Sequence, residues 1–321
     1  MTDMTAPRFN DPDAAREYLE TLRWPDGPFC PHCGSFAAKR LPDQRGKPSK
    51  KNPEGSVRKG VIQCNDCRQQ YTVTVGTVFG DSKIPLHKWL LANHLMVASK
   101  KGISAHQLHR MLGITYKSAW FMAHRIREAM TPTNPGPMGG PGVTVEADET
   151  YWGKDKNAPE TAMKIHKMNK IVSLIDRSTG RATSFIIPGM LNATTIGQLL
   201  YTNVDRASRL MTDQAHFYKA PGKQFAAHDS VNHGEGEYVR KGDRTTHTNT
   251  VEGFFGIFKR GMRGIYQHCG QQHLGRYVAE FDFRYSNRSA LGINDDHRGD
   301  ICLKRIEGKR LTYRRINQQA A

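Results

Sequence analysis

Three acidic residues and two cysteine pairs are the groups in this chain whose types and spacing could do chemistry. Asp148 closes an alternating stretch in which Val143, Val145 and Ala147 fall on one side of a strand and Thr144, Glu146 and Asp148 on the other. Asp213 closes a second apolar stretch, residues 209–213. Glu252 comes 39 residues later, among Val251, Phe254, Phe255 and Phe258, which are spaced as the buried stripe of an amphipathic helix. Lys259 stands seven residues beyond Glu252, on the same helix face to within about 20°, and Asn249 shares that face one turn earlier. Carboxylates in such a set can hold two divalent ions roughly 3.5–4 Å apart, the arrangement that cleaves phosphodiesters. Hard oxygen donors favour Mg²⁺ or Mn²⁺ over zinc. Singly, each acid is what any turn or solvated helix carries; the ordered set of three is the signal.

The cysteines imply a different metal. Cys30 and Cys33 form one Cys-x-x-Cys pair, Cys64 and Cys67 another. Each pair can turn two thiolates onto one ion, and two pairs close a tetrahedral, structural Zn²⁺ site with no position left for chemistry. Gly34 and Arg68 follow the pairs as knuckle residues, and the alternation of residues 70–75 predicts a strand, so the region reads as a zinc ribbon. Between the pairs, residues 38–60 carry Lys39, Arg40, Arg45, Lys47, Lys50, Lys51, Arg58 and Lys59 against only Asp43 and Glu54, which predicts a mobile basic loop. Cys269 and Cys302 have no such spacing and read as packed residues.

The elements that position these groups can be placed in outline. Residues 84–130 change to helical periodicity. Ser104 and Thr115 are good N-caps and Gly113 is a breaker between them, so the segment predicts a helix-turn-helix. Ala119, Met122, Ala123 and Ile126 mark the inward face of its second helix; Tyr116, Lys117 and Ser118 mark the exposed start that would meet DNA bases. Residues 131–142 hold eight Pro or Gly in twelve and read as a linker. Beyond it come the Asp148 strand, a hairpin over 170–187 turning at residues 178–180, a helix over 194–203 and the Asp213 strand. That order describes a mixed α/β sheet. The expected division is a zinc ribbon over 13–80, the helix-turn-helix over 84–130, the linker, an α/β catalytic domain over 143–290 and a peripheral basic tail over 291–321.

Bulk composition narrows the partner. The 321 residues include 47 Lys plus Arg against 30 Asp plus Glu, a formal charge of +17. An excess of that size in a globular protein favours a polyanion such as DNA. No run of about 18 apolar residues is present and no secretory leader opens the chain, so the expectation is a cytoplasmic protein with no membrane partner.

The acidic series resembles that of the DDE superfamily of transposases and integrases, and the chain as a whole resembles the insertion sequence 1595 family of bacterial transposases. The resemblance rests on Arg23-Trp-Pro-Asp-Gly27 with Cys30-Pro-His-Cys-Gly34, on Gly76-Thr-Val-Phe79, and on Asp148-Glu-Thr-Tyr-Trp-Gly153. It continues through Asn249-Thr-Val-Glu-Gly-Phe-Phe255, Lys259-Arg260-Gly261, Gly264-Ile-Tyr266 and His273-Leu-Gly-Arg-Tyr277 to Asn287 and Arg288. It implies a ribonuclease H-like catalytic domain behind the zinc ribbon and helix-turn-helix. It also implies cleavage at element ends, transfer of the 3′-hydroxyl into target DNA, and a homo-oligomer assembled on DNA. Some members use asparagine as the third catalytic residue, so Asn249 competes with Glu252, which the preference of a divalent cation for carboxylate favours.

Two other readings use the same parts: a DNA-binding regulator derived from a transposase, and a ribonuclease H-like nuclease without strand transfer. Asp148, Asp213 and Glu252 together argue against the first. His228, Asp229, His233 and His247 could contact metal or phosphate, and Tyr266, His268, His273 and Arg276 read as packing or DNA contacts. Glu146 and Glu149 flank Asp148, and strand alternation predicts that Glu149 faces away from it.

Overall fold

The computed structural model describes residues 3–48, 50, 53–55, 57–161 and 163–312. The chain divides into two compact units, one holding residues up to Ala98, Ala105–Ala129 and the chain from Asp295, the other Ser99–Ser104 and Met130–Asn294.

The first unit opens with helices α1 (Pro7–Asn10) and α2 (Pro12–Arg23). Asp11 caps α2 by accepting from the backbone N–H of Asp13 and Ala14, with Pro12 preset for the first turn. Five short strands follow: β1 (Ala38–Arg40), β2 (Gln44–Arg45), β3 (Val57–Arg58), β4 (Ile62–Cys64) and β5 (Gln70–Tyr71). β4 is the centre of an antiparallel three-stranded sheet with β1 and β5, and β2 pairs with β3. The segment between the cysteine pairs, expected to be a loop, therefore supplies three strands; Lys51 lies outside the described residues. The strand expected over 70–75 stops at Tyr71. The Val73 carbonyl accepts from the Arg23 guanidinium instead of a strand, and the Val75 N–H turns back to the Thr72 carbonyl.

Three helices complete this unit: α3 (Leu86–Ala98), α4 (Ala105–Leu112) and α5 (Tyr116–Met130). Residues 113–115 turn between α4 and α5. Gly113 takes φ +59°, and Thr115 Oγ1 accepts from the Ser118 N–H at 3.2 Å. Lys88 Nζ donates to the Leu112 carbonyl at 2.7 Å, closing the end of α4. Ala119, Met122, Ala123 and Ile126 are all buried, while Tyr116 is exposed and stacks on His106 with ring centroids 4.2 Å apart.

The C-terminal stretch expected to be peripheral contains a packed helix, Asp295–Leu303. Asn93 Nδ2 donates to the Gly299 carbonyl, Arg298 to the Val97 carbonyl, and Arg8 pairs with Asp296 at 2.7 Å. Its acidic first turn and the buried Cys302, Leu303 and Ile306 outweigh the basic residues further on.

The second unit is built on a five-stranded sheet. In chain order its elements are β6 (Thr144–Lys154), β7 (Met168–Asp176), β8 (Ala182–Ile187), helix α6 (Ala193–Asn203), β9 (Arg209–Asp213), α7 (His216–Gly222), β10 (Ala227–Val231), α8 (Asn249–Gly261) and α9 (Leu274–Ser286); the terminal helix above is α10. The sheet order is β10-β9-β6-β7-β8: β6, β7 and β8 form an antiparallel meander, and β9 and β10 run parallel to β6.

Strand alternation sorts two cores onto the two faces. Val145, Ala147, Val172 and Leu174 pack with Ile196, Leu200, Phe217 and Tyr218 of α6 and α7. Ile171 and Ile175, one residue out of step, pack with Val251, Phe254, Phe258 and Phe281 of α8 and α9. α8 and α9 approach closely at Gly261, where a Cβ would sit 2.5 Å from the Phe281 ring and 2.6 Å from the Lys101 carbonyl. No helix of the described residues is long and apolar enough to cross a membrane.

Glu146 joins the sheet to α8. Its side chain is wholly buried; Oε1 accepts from Arg177 Nε at 2.6 Å and Oε2 from the Val251 N–H at 2.9 Å. Replacing it with alanine takes the counter-charge from the guanidinium, which keeps its bonds to the Thr245 and His247 carbonyls, and leaves the Val251 amide at the start of α8 without this acceptor. We expect Glu146→Ala to lower stability by about 3 kcal/mol, read as a lower urea midpoint, whereas a midpoint within error of wild type would show that the tether is dispensable.

Candidate active site and cysteine cluster

The four cysteines converge in the first unit. Cys30 Sγ lies 3.6 Å from Cys67 Sγ and Cys33 Sγ 3.6 Å from Cys64 Sγ, and all four sulfurs fall within 4.8 Å of one another. A tetrahedron with zinc–sulfur bonds of 2.3 Å has edges of about 3.8 Å, whereas a disulfide needs sulfurs roughly 2 Å apart. The spacing fits four thiolates on one ion. Both knuckles turn through positive φ, at Gly34 (+78°) and Arg68 (+61°).

In the second unit the acidic residues meet at the end of β9. The register that sets Glu146 opposite Met211 carries Asp148 level with Asp213, where β9 stops. Carboxylate oxygens of Asp148, Glu149 and Asp213 all lie within 4.8 Å of one another. Glu149 takes the opposite face of the strand, as alternation implies, yet its carboxylate stays within reach of the other two. It leaves β6 on the α7 face, and because β9 ends at Asp213 no neighbouring strand screens it from the other two.

The chain holds one oxygen of each acid. Asp148 Oδ1 accepts from the Glu149 N–H at 2.7 Å, Asp213 Oδ1 from the Ala215 N–H at 2.9 Å, and Glu149 Oε2 from the Tyr218 hydroxyl at 3.0 Å. Among the described residues, no Lys, Arg or His pairs with any of the three. Burial, reinforced by the charges of Glu149, Asp213 and Glu252, pushes the Asp148 carboxyl up to about 8. Burial and then Asp213 push Glu149 up to about 7. Half-buried oxygen donors without a counter-charge fit a hard divalent cation, and thiolates of the other cluster do not.

Glu252 stands beside this group rather than in it. Its Oε1 accepts from Thr248 Oγ1 at 2.8 Å and lies 3.0 Å from His233 Nε2, while its charge still reaches Asp148. Asn249 is the exposed first residue of α8, and Lys259 is half-buried in the last turn. The weaker candidates divide. His233 touches Glu252, as above. His228 Nε2 lies 3.0 Å from Thr212 Oγ1, and Asp229 pairs with Arg209 and Arg240 beneath the site. His247 lies 3.5 Å from Glu146, and the Tyr266 hydroxyl donates to Glu280. His268, His273 and Arg276 stand outside the acidic group. Tyr218 and Thr248 were not singled out by sequence; a tyrosine on an apolar helix face and a threonine before a helix carry no signal of an acidic partner.

Comparison with known proteins adds three findings. Residues 138–286 match the family model of the ISXO2-like transposase domain, and residues 10–70 that of the transposase zinc-ribbon domain. A curated relative, described as an uncharacterized protein in transposable element ISH50 of Halobacterium salinarum, is 27% identical over 294 residues, covering 84% of this chain and 89% of the relative. A solved chain from the simian T-cell lymphotropic virus intasome in complex with the PP2A regulatory subunit B56 gamma is 16% identical with a TM-score of 0.28, too low to carry weight. That match covers 55% of this chain and spans 63% of the viral one, less than two thirds of its length.

The raised carboxyls fix a sign. A carboxyl that binds its proton more tightly folded than unfolded costs stability as pH climbs from its ordinary range near 4 to its folded value. In EDTA, Asp148→Asn should melt above wild type at pH 8.5, with the gap closing toward pH 5; a gap that is constant or widens at low pH would contradict the clustering. Replacing Cys30 and Cys33 with serine should release zinc, measured by metal analysis of the purified protein. Unchanged zinc content would remove the four-thiolate assignment.

Proposed function

Because the chain belongs to the insertion sequence 1595 family of transposases, we propose that it is a DDE-type DNA transposase that cuts at the ends of an insertion sequence and transfers the 3′-hydroxyl into target DNA. The observation that carries this reading is the meeting of Asp148 and Asp213 at the end of β9 with, among the described residues, no Lys, Arg or His paired to either. The sheet supports it too. A three-stranded antiparallel meander with two further strands parallel to its first strand is the arrangement expected of a ribonuclease H-like domain.

Bound Mg²⁺ or Mn²⁺ would supply activation of the attacking hydroxyl or water and stabilisation of the departing oxygen. The residues of the chain do the rest. Asp148 and Asp213 offer the oxygens left after the Glu149 and Ala215 amides take one of each, so their carboxylates are oriented before any substrate arrives. Glu252 takes the third position. Its charge bears on Asp148 from α8, and Thr248 and His233 hold one of its oxygens. Asn249, exposed at the helix start, has no such tie among the described residues. Lys259, two turns along α8, is assigned to contact a phosphate of the bound strand.

DNA delivery falls to the first unit. α4, the 113–115 turn and α5 serve as a helix-turn-helix, with Tyr116 and Lys117 exposed at the start of the second helix to meet base edges. The zinc ribbon and its basic strands contact phosphates, in keeping with the +17 charge. Element ends and target DNA must be held at once, which favours a homo-oligomer on DNA.

Asp148→Asn or Asp213→Asn should reduce Mg²⁺-dependent cleavage of end-sequence DNA by at least about a thousandfold, while gel-shift binding persists. Wild-type cleavage by either variant would remove the mechanism. Glu252→Gln should lose cleavage and Asn249→Ala retain it; the reverse pattern would transfer the third role to Asn249.

A further inference from the structure

Resting on the reading of the acidic cluster as the cation site, we propose that Glu149 is itself a ligand of the divalent ion held by Asp148 and Asp213, with Tyr218 as the residue that positions it. Strand alternation sends Glu149 to the face opposite Asp148, yet its carboxylate comes within 4.8 Å of both aspartates.

The surroundings of Glu149 differ from those of three buried acids that serve structure; two others, Asp176 and Asp282, are each held by two or more backbone and hydroxyl donors instead. Glu146 faces Arg177, Glu280 faces Arg284 and Asp155 faces Lys170. In each of those pairs a cation of the chain balances the charge. Glu149 has no such partner among the described residues; its one side-chain hydrogen bond comes from the Tyr218 hydroxyl at 3.0 Å. A carboxylate retained beside two others is destabilising unless a cation from outside joins them.

Tyr218 suits the positioning role. It is wholly buried in α7, packed with Phe217 and Ala147, so its ring has no freedom to follow the carboxylate. Its O–H fixes Oε2 of Glu149 and leaves Oε1 for the ion. This is the division the backbone imposes on the neighbours, where the Glu149 and Ala215 amides each take one aspartate oxygen. A donor behind a ligating carboxylate sets its direction and its basicity. Three acids prepared in this way hold one ion without help from α8. Glu252 is then left for a second ion or for the substrate.

The experiment is a Mn²⁺ titration of the full-length, zinc-loaded protein without DNA, followed by the electron paramagnetic resonance of free Mn²⁺. Glu149→Gln keeps the size of the side chain and its bond to Tyr218 but removes the charge; it should weaken binding by at least about tenfold, and Tyr218→Phe by about tenfold. Asp148→Asn is the control for the underlying reading and should abolish binding. If Asp148→Asn abolishes binding while Glu149→Gln binds as wild type, the role of Glu149 is overturned and the active-site reading stands. If Asp148→Asn also binds as wild type, both fall. Wild-type affinity in Tyr218→Phe alone, with Glu149→Gln impaired, overturns the positioning role. Thermal melts in EDTA accompany each titration, since a merely structural Glu149 would lower the melting temperature of Glu149→Gln without moving its Mn²⁺ affinity relative to folded protein.

Discussion

The buried carboxylate of Glu146 is the interaction on which the second unit depends. It sits on the central strand, one alternation before Asp148, and holds the first turn of α8 through the Val251 N–H and the β7–β8 turn through Arg177. A negative charge at a helix N-terminus is favoured by the dipole and by unsatisfied amides, so the tether is strong where α8 begins. Glu252 lies one residue beyond the tethered amide. The distance from Glu252 to the acidic cluster is thus set by a bond to the same strand that carries Asp148. Packing of Val251, Phe254 and Phe258 against Ile171 and Ile175 then fixes the rest of the helix. Glu146 shares its sequence neighbourhood with two ligand candidates, but its charge is spent on architecture.

Asp148, Glu149 and Asp213 illustrate the opposite economy. Among the described residues none neutralises them, and burial raises the carboxyls of Asp148 and Glu149 toward neutral pH. On the proposed reading this arrangement has a use: the repulsion is released when a cation binds, so the site would be stabilised by its ion. The same argument predicts proton release on ion binding near neutral pH, since carboxyls protonated in the empty site must ionise to ligate.

Much of this was legible in the residues, and the reasons differ by element. β6, β7, β8 and β9 follow from alternation and from the turn at Ser178, Thr179 and Gly180, because a half-buried strand must repeat with period two. α8 follows from four apolar anchors that all prove buried. The cysteine cluster follows from spacing alone. Glu149 follows alternation onto the α7 face, but the two faces of a strand are screened from each other only inside a sheet, and that screen lapses where the neighbouring strand ends. That end point depends on the length of β9, which the position of Asp148 does not reveal. β1 is held mainly by backbone bonds to β4, with all three of its side chains at least partly exposed, so its residues lack the apolar pattern that marks a strand. The packed helix α10 was hidden by composition. Averaging the C-terminal stretch as basic obscured Asp295, Asp296 and Asp300, which form the contacts to Arg298, Arg8 and Tyr18.

The sulfur and oxygen clusters differ in chemistry in a way that would sort ions by donor type rather than by strength of binding. Most divalent metals of the first row bind nitrogen, oxygen or sulfur sites less tightly than zinc, so an undiscriminating protein would fill both sites with zinc. Four converging thiolates are soft, closed and complete, and they leave a bound zinc with no open position. The acidic group is built of hard oxygens, and only one oxygen of each acid is held by the chain, which leaves room for water and phosphate in the shell. Mg²⁺ keeps several waters and prefers this kind of partial carboxylate shell. Placing the sulfur cluster in one compact unit and the oxygen cluster in the other keeps the ligand sets from mixing. On the proposed function, a permanent fold-holding ion and an exchangeable reactive one would then coexist in a single chain.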